Sequence, residues 1–375
     1  MMLSARLGSS HASSPSAAVA ELAAVLEQPG AAFHLAFASP RYNPEALAAE
    51  LSRALPGAPV IGCTTAGEIS PRGFAQGSLV GLSLASTELQ MATALVHPLE
   101  TASFADIRDA ARRALAKVDG ESAQSGELYG MLLIDGLSLR EESFAAAVAA
   151  AAPQVRWVGG SAADLEFRAA HIFYQGHAIR DAALMLILRT TLPIAVIKSE
   201  HMRPTGKKTV VTAASPDGRR VMELDGRPAL ERYAQLLDVP PAAVTRELAG
   251  SRPFACRVAG VSYVRSVSGL EPGALRFACA VATGTVLELM EPGDLVGETR
   301  DALAGAREAV GGDLAAVVAF NCLGRFLEAE QRGLVTRLGE TYASHPVVGF
   351  NTYGEQCDGL HVNHTFTGLA FGRGR

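Results

Sequence analysis

Short apolar runs alternate with amphipathic stretches along this chain, and three of the successions follow one plan. The first has an apolar strand over 33–38 and a helical stretch over 44–55. Its second strand, Pro59-Val60-Ile61-Gly62, runs into Cys63-Thr64-Thr65-Ala66-Gly67-Glu68. The second has a strand over 129–134 that ends at Asp135-Gly136, then a helix over 141–152. Its second strand, 155–160, leads through Ser161-Ala162-Ala163 to Asp164. The third has a strand over 315–320 ending at Asn321-Cys322 and a helix over 328–343. There Pro346-Val347-Val348-Gly349 enters Phe350-Asn351-Thr352-Tyr353-Gly354-Glu355. A further apolar strand follows each break, at 78–84, 183–188 and 365–371. Strand, amphipathic helix, strand is the pattern of a βαβ crossover. It predicts an α/β fold of mixed, layered sheets with helices outside.

Each second strand breaks at glycine and reaches a carboxylate through small or hydroxyl residues: Glu68, Asp164 and Glu355. Glycine there permits a positive φ or a close backbone approach. Loops held at the ends of rigid strands are where binding residues tend to sit. The same turn is also an ordinary way to leave a sheet, so the acidic ends alone prove no function.

Between the second and third copies the texture changes. Residues 201–223 read as polar, hairpin-like segments with turns at Pro204-Thr205-Gly206 and Pro216-Asp217-Gly218. A helix over 229–237, a run of strands over 257–288 and a helix over 296–309 follow. A chain of 375 residues exceeds a typical single core, so two domains are expected. The division falls where dense apolar strands give way to turns, giving 28–205 and 206–370.

Composition narrows the class. The chain is 49% hydrophobic and 19% charged, with net charge −5, which describes a globular protein with ample core material. No basic tract is dense enough to track phosphates, so nucleic acid is excluded as the expected partner. The five cysteines are scattered and form no CxxC pair, which argues against disulfides and structural zinc and for a reduced, cytoplasmic setting. Residues 1–15 lack the apolar core of a signal peptide, and no window holds about 18 unbroken apolar residues, so membrane insertion is not expected.

Candidate chemistry is sparse. His361 and His364 are the one close histidine pair, and in an extended segment positions three apart face opposite sides. HExxH and clusters of histidine with carboxylates are absent from the pattern, which disfavours catalytic zinc. One neutral imidazole suffices as an axial ligand for heme, whereas the plainer reading of His364 is a hydrogen bond within the core. Cys322 closes a strand three residues before Arg325, where a cation would lower a thiol pKa; a buried structural thiol is the plainer reading. Arg325 reads equally as a bidentate fork for a ligand carboxylate or as a surface ion pair. Glu68 and Glu355 would make an acid–base pair only if the halves face each other. Nucleotide loops, nucleophile elbows and SxxK motifs are missing, so catalysis has no positive signal.

Four segments resemble one known family. Gly62-Cys63-Thr64-Thr65-Ala66-Gly67-Glu68 is similar to the signature of the FIST N-terminal domain. Asn321-Cys322-Leu323-Gly324-Arg325 and Gly349-Phe350-Asn351-Thr352-Tyr353-Gly354-Glu355, followed by Asn363-His364-Thr365, are similar to its C-terminal counterpart. The resemblance implies a non-enzymatic sensory module of bacterial signal transduction that binds a small molecule. Its ligand contacts would fall on Thr64, Thr65, Gly67, Glu68, Cys322, Arg325, Thr352, Tyr353, Glu355 and Asn363. A subgroup, the NosP nitric-oxide sensors, binds heme and acts on a separate histidine kinase or cyclic-di-GMP enzyme. The chain carries no kinase, methyl-accepting or GGDEF segment, which is similar to that stand-alone arrangement. Family members often carry glutamine where this sequence has His364. That departure makes His364 the leading heme-iron ligand and His361 the second. The reading favoured is therefore a NosP-like heme sensor of nitric oxide. The alternatives are a heme-free sensor of a metabolite such as an amino acid and, third, a hydrolase or transferase using Cys322.

Overall fold

The computed structural model describes residues 2–120, 126–258 and 260–374. Met1, the stretch 121–125 within the first expected domain, and Ala259 within the expected strand run lie outside the described residues.

Three six-stranded sheets share one strand order. The first runs Ser4–Ser10, Leu79–Ala85, Ala31–Ala38, Val60–Thr64, Ile172–Tyr174, His177–Ile179. The second runs Leu89–Val96, Ala183–Thr190, Glu127–Asp135, Arg156–Ala162, Glu355–Cys357, Leu360–Val362. The third runs Ile194–Glu200, Thr365–Gly372, Leu314–Cys322, Val347–Thr352, Glu68–Ser70, Gly73–Ala75. In each, the two strands of the crossover pair in parallel and the rest are antiparallel. The repetition in the sequence is thus a repetition in space, and the fold is mixed α/β.

The last two strands of every sheet come from another copy. The hairpin after the first copy's second strand completes the third sheet, the second copy's completes the first, and the third copy's completes the second. This closed exchange joins the copies by backbone hydrogen bonds. One apolar core fills the space between the sheets, with Phe37, Met131, Leu133, Phe320 and Phe350 among its members. Phe350 packs with its ring centroid 4.8 Å from that of Phe37 and 5.7 Å from that of Phe320.

The helices cover the outer faces, and some start where the sequence supplies a cap. Asn43 accepts the Ala46 amide ahead of Pro44–Ala54, and Asp294 accepts the Gly297 amide ahead of Leu295–Ala309. Two local expectations fail. The helix expected over 328–343 is two, Leu323–Gln331 and Val335–Ala343, separated at Gly333 with φ +65°. The turn expected at Pro204-Thr205-Gly206 is an irregularity inside one 13-residue strand, Met202–Ala214. Residues 205 and 206, where the sequence reading divides the chain, lie within it. The turn at Pro216-Asp217-Gly218 is real and links that strand to Arg220–Leu224.

The third copy carries a large insertion. From Met202 to Pro292 the chain builds a separate antiparallel sheet with its own core, including Val211, Tyr233, Phe254, Phe277 and Leu289. This lobe is fastened to the three-copy body by buried charge. Arg219 reaches Glu141 at 3.1 Å and Glu142 at 2.8 Å, and the Ala280 amide donates to Glu142. Among the described residues no helix is long and apolar enough to cross a membrane.

Candidate functional site

The register of the parallel pairs aligns the three turns. Gly62 lies opposite Ala36, Gly349 opposite Ala319 and Gly159 opposite Leu132. A Cβ at these glycines would stand 1.7, 1.9 and 2.3 Å from the facing carbonyl oxygen, so close approach is why glycine recurs. Thr65, Thr352 and Ala162 follow at one place, and the exchanged hairpins then set Glu68, Glu355 and Ile172 opposite Phe350, Gly160 and Cys63, each the residue after a strand glycine. The place of the two glutamates is thus filled by Ile172 in the second copy, and His171 stands where Gly67 and Gly354 stand. The expected third carboxylate, Asp164, lies in a longer loop ahead of that place, where it accepts the amides of Glu166, Arg168 and Ala169.

Glu68 and Glu355 do the same work in their copies. Glu68 accepts from the Thr65 hydroxyl and from the amide (2.9 Å) and hydroxyl (2.6 Å) of Ser78. Glu355 accepts from the Thr352 hydroxyl and from the amide (3.2 Å) and hydroxyl (2.5 Å) of Thr365. Burial pushes Glu68 up to about 7 and Glu355 up to about 8, against these hydrogen bonds. Each carboxyl staples its own exchanged hairpin, and the two do not hydrogen-bond to each other. Gly67 has φ +111°, and a Cβ there would lie 3.1 Å from Asn351 Nδ2.

A cavity of about 300 Å³ opens where the inserted lobe meets the third copy. The third copy contributes Cys322, Leu323, Gly324, Leu327, Tyr353, Asn363 and His364. Arg246, Ser266, Val267 and Ala278 come from the lobe, and Phe167 from the second copy's loop. Phe167 stacks on Tyr353 with centroids 4.3 Å apart and has φ +56°. His364 does not continue a strand: it adopts φ +53° at the bend before Thr365. The expected extended segment is thus broken at that residue. Its imidazole is buried with Nδ1 unpartnered, and burial lowers its pKa to about 3, so it is neutral. Ser266 Oγ, on the opposite side of the seam, is likewise buried without a partner.

Behind His364 lies a polar network the sequence did not show. His201, Glu328 and His364 bring ligand atoms within 4.8 Å of one another, so a cluster of histidine with carboxylate exists after all. Arg325 is fully buried. It donates to Asn321 Oδ1 (2.9 Å) and Thr299 Oγ1 (2.5 Å), and its Nη1 lies 3.2 Å from His201 Nδ1. A guanidinium only donates, so His201 Nδ1 accepts and its proton sits on Nε2, directed at Glu328 Oε2 2.7 Å away. Burial, and then the Arg325 charge, lower the His201 pKa against the pull of Glu328. Glu328 Oε1 is taken by Arg332 at 2.6 Å. With both nitrogens of His201 committed and two guanidinium groups alongside, the cluster does not fit a metal ion.

The expected site residues therefore separate. Cys322, Tyr353, Asn363 and His364 share the seam cavity. Thr64 lines a second cavity of about 500 Å³ with Ser39, Arg41, Asp164 and His171. Thr65, Gly67, Glu68, Thr352 and Glu355 fix turns. Arg325 is neither a ligand fork nor a surface ion pair; it is a buried structural cation. His361 lies outside the seam cavity, with Nδ1 3.2 Å from Gln356 Nε2 and a pKa lowered to about 4 by burial. Burial pushes the Cys322 thiol up and outweighs the lowering by the Arg325 charge. The sequence missed Arg246, Ser266 and His201. His201 is 124 and 127 residues from its partners Arg325 and Glu328, which no local spacing betrays.

Comparison with known proteins is narrow. No curated protein matches the chain. Among solved structures, a cyanuric acid hydrolase from A. caulinodans covers 99% of both chains at 9% identity with a TM-score of 0.39, too weak a likeness to carry fold or function. The model of the FIST N domain matches residues 32–227 and that of the FIST C domain residues 229–358. With both modules matched over most of its length, this chain belongs to the FIST family, whose domains are sensory modules of signal transduction.

Proposed function

We propose that this chain is a non-enzymatic sensor that binds one small molecule in the seam cavity and reports it through the angle of the inserted lobe. The observation that carries this reading is one largely apolar cavity lined on opposite sides by Ser266 and His364, each of which holds a buried polar atom without a partner. Buried polar groups normally find partners, and a ligand is the partner such a site awaits. A molecule touching both walls favours one seating of the lobe over others, and that shift is what a partner histidine kinase or cyclic-di-GMP enzyme would read. The protonated, buried Cys322 thiol supports binding rather than turnover.

For heme the donor fits and the room does not. His364 offers a neutral, unpartnered imidazole, as an axial ligand requires. A cavity of about 300 Å³, however, sits at the bottom of the range that takes drug-sized molecules, and a porphyrin with its propionates is larger. The heme-free reading is therefore preferred. Absorption titration with hemin tests the choice: a Soret band lost in His364→Ala reverses it. Native mass spectrometry tests the cavity itself. A small-molecule adduct on the wild type should vanish in Leu327→Trp, which fills the cavity; an adduct that persists there places the ligand elsewhere.

A further inference from the structure

We infer that the ligand is a compact carboxylate with an apolar body, its anionic head seated at the start of the 323–331 helix between His364 and Arg246. This rests on the seam cavity being the sensory site and names what occupies it. Four independent features converge. The walls are mainly apolar, with Phe167, Val267, Leu323 and Leu327 forming the broad surfaces, which suits a hydrocarbon or ring. Among the described residues no aspartate or glutamate lines the cavity, and the one formal charge is the exposed Arg246, whose guanidinium also acts on the neighbouring Glu247.

The helix Leu323–Gln331 begins at this wall with no side-chain cap. Its nine residues align enough peptide dipoles to leave partial positive charge at its first amides, where an anion is favoured. Gly324 keeps that helix start bare; a Cβ there would stand 2.8 Å from His364 Nε2. His364 supplies the second pointer. It is 1% exposed, it lines the cavity, and its Nδ1 has no partner. A neutral imidazole with a free N–H donates to a carboxylate oxygen, and Ser266 Oγ offers a further donor from the lobe.

The same inventory argues against a free amino acid. An α-ammonium needs acceptors, and the side-chain acceptor closest to serving, Asn363 Oδ1, already takes the Ser266 amide at 3.2 Å. Burying an unpaired ammonium here would be costly, whereas a carboxylate finds donors in the His364 imidazole, the Ser266 hydroxyl and the Arg246 guanidinium.

Calorimetric titration of the full chain with hexanoate, benzoate, their amides, and leucine and phenylalanine distinguishes the classes. The acids should bind at least about tenfold more tightly than the amides and the amino acids, since each charge-assisted hydrogen bond lost is worth about that factor. Arg246→Gln, a surface change that leaves the fold alone, should weaken hexanoate by about tenfold and leave hexanamide unchanged. Amides that bind as well as acids, or amino acids that bind better, overturn the anion assignment. If those ligands are still lost in Leu327→Trp, the cavity stands and only the anion falls. If none of the six compounds binds, both fall together. Acid binding that survives Leu327→Trp unchanged puts the anion at another place and refutes this assignment.

Discussion

The three strand glycines give the sharpest test of the repeated architecture. Alanine at Gly62, Gly349 or Gly159 places Cβ 1.7, 1.9 or 2.3 Å from a carbonyl oxygen of the parallel neighbour, where 3.0 Å is the practical floor. The strands must part locally by roughly 1.3, 1.1 and 0.7 Å to make room, against a normal spacing of about 4.8 Å. At the first two positions the parallel ladder cannot stay bonded. Leaving two or three buried backbone groups unpaired costs about 1–3 kcal/mol each. Gly62→Ala and Gly349→Ala should thus lose roughly 3–6 kcal/mol, with Gly159→Ala less affected. Gly305→Ala is the control: it lies in the helix Leu295–Ala309 with nothing within 4 Å of the new methyl. It should gain about 0.5–1 kcal/mol from helix propensity. Urea unfolding, or soluble yield where a variant cannot be purified, reads the order. Gly62→Ala and Gly349→Ala within about 1 kcal/mol of wild type would refute the reasoning, because strands packed this tightly have no other place for the methyl.

Three further outcomes follow from the buried polar groups. Arg325→Lys should lose about 3–5 kcal/mol, because a point-like ammonium cannot span Asn321, Thr299 and His201 together; unchanged unfolding with weakened ligand binding would restore Arg325 as a ligand fork. Stability should fall as pH rises from 6.5 to 8. Glu355 and Glu68 have pKa values raised in the folded state, so the folded chain holds more protons than the unfolded one, at up to about 1.4 kcal/mol per pH unit per group. His361 and His364, held neutral, act below that window. Glu355→Gln should lessen the slope without abolishing it, since Glu68, Glu141 and Glu200 are also raised by burial, and a slope unchanged by the substitution counts against the assignment. Iodoacetamide at pH 7.5 should label none of the five cysteines in the native chain, since all are buried; rapid alkylation of Cys322 under native conditions would reopen the nucleophile.

What the sequence determined is the local unit and its repetition. Strand, helix, glycine-broken strand was legible three times because apolar periodicity and glycine placement are set by neighbours a few residues away. The same holds for the first-copy helix, read over 44–55 and found at Pro44–Ala54, and for the strand Thr365–Gly372. The family motifs were legible for a related reason: Thr65 with Glu68, and Thr352 with Glu355, close hydrogen bonds over three residues. The error over Asp164 came from counting carboxylates without a register. Only the pairing of Ile172 with Cys63, matched by Glu68 with Phe350 and Glu355 with Gly160, shows that Ile172 holds the equivalent position.

Tertiary structure alone decided where the hairpins go and where a ligand can sit. The exchange of hairpins among three sheets depends on edges that meet only after folding, such as Glu68 pairing with Phe350. The seam cavity gathers Phe167, Arg246, Ser266 and His364 from four distant stretches of chain. Arg325 looked like a surface or ligand cation because its charge is visible in sequence, while Thr299 and His201, which bury it, are remote. Periodicity records which face of an element is apolar; it does not record which distant side chains will meet across that face.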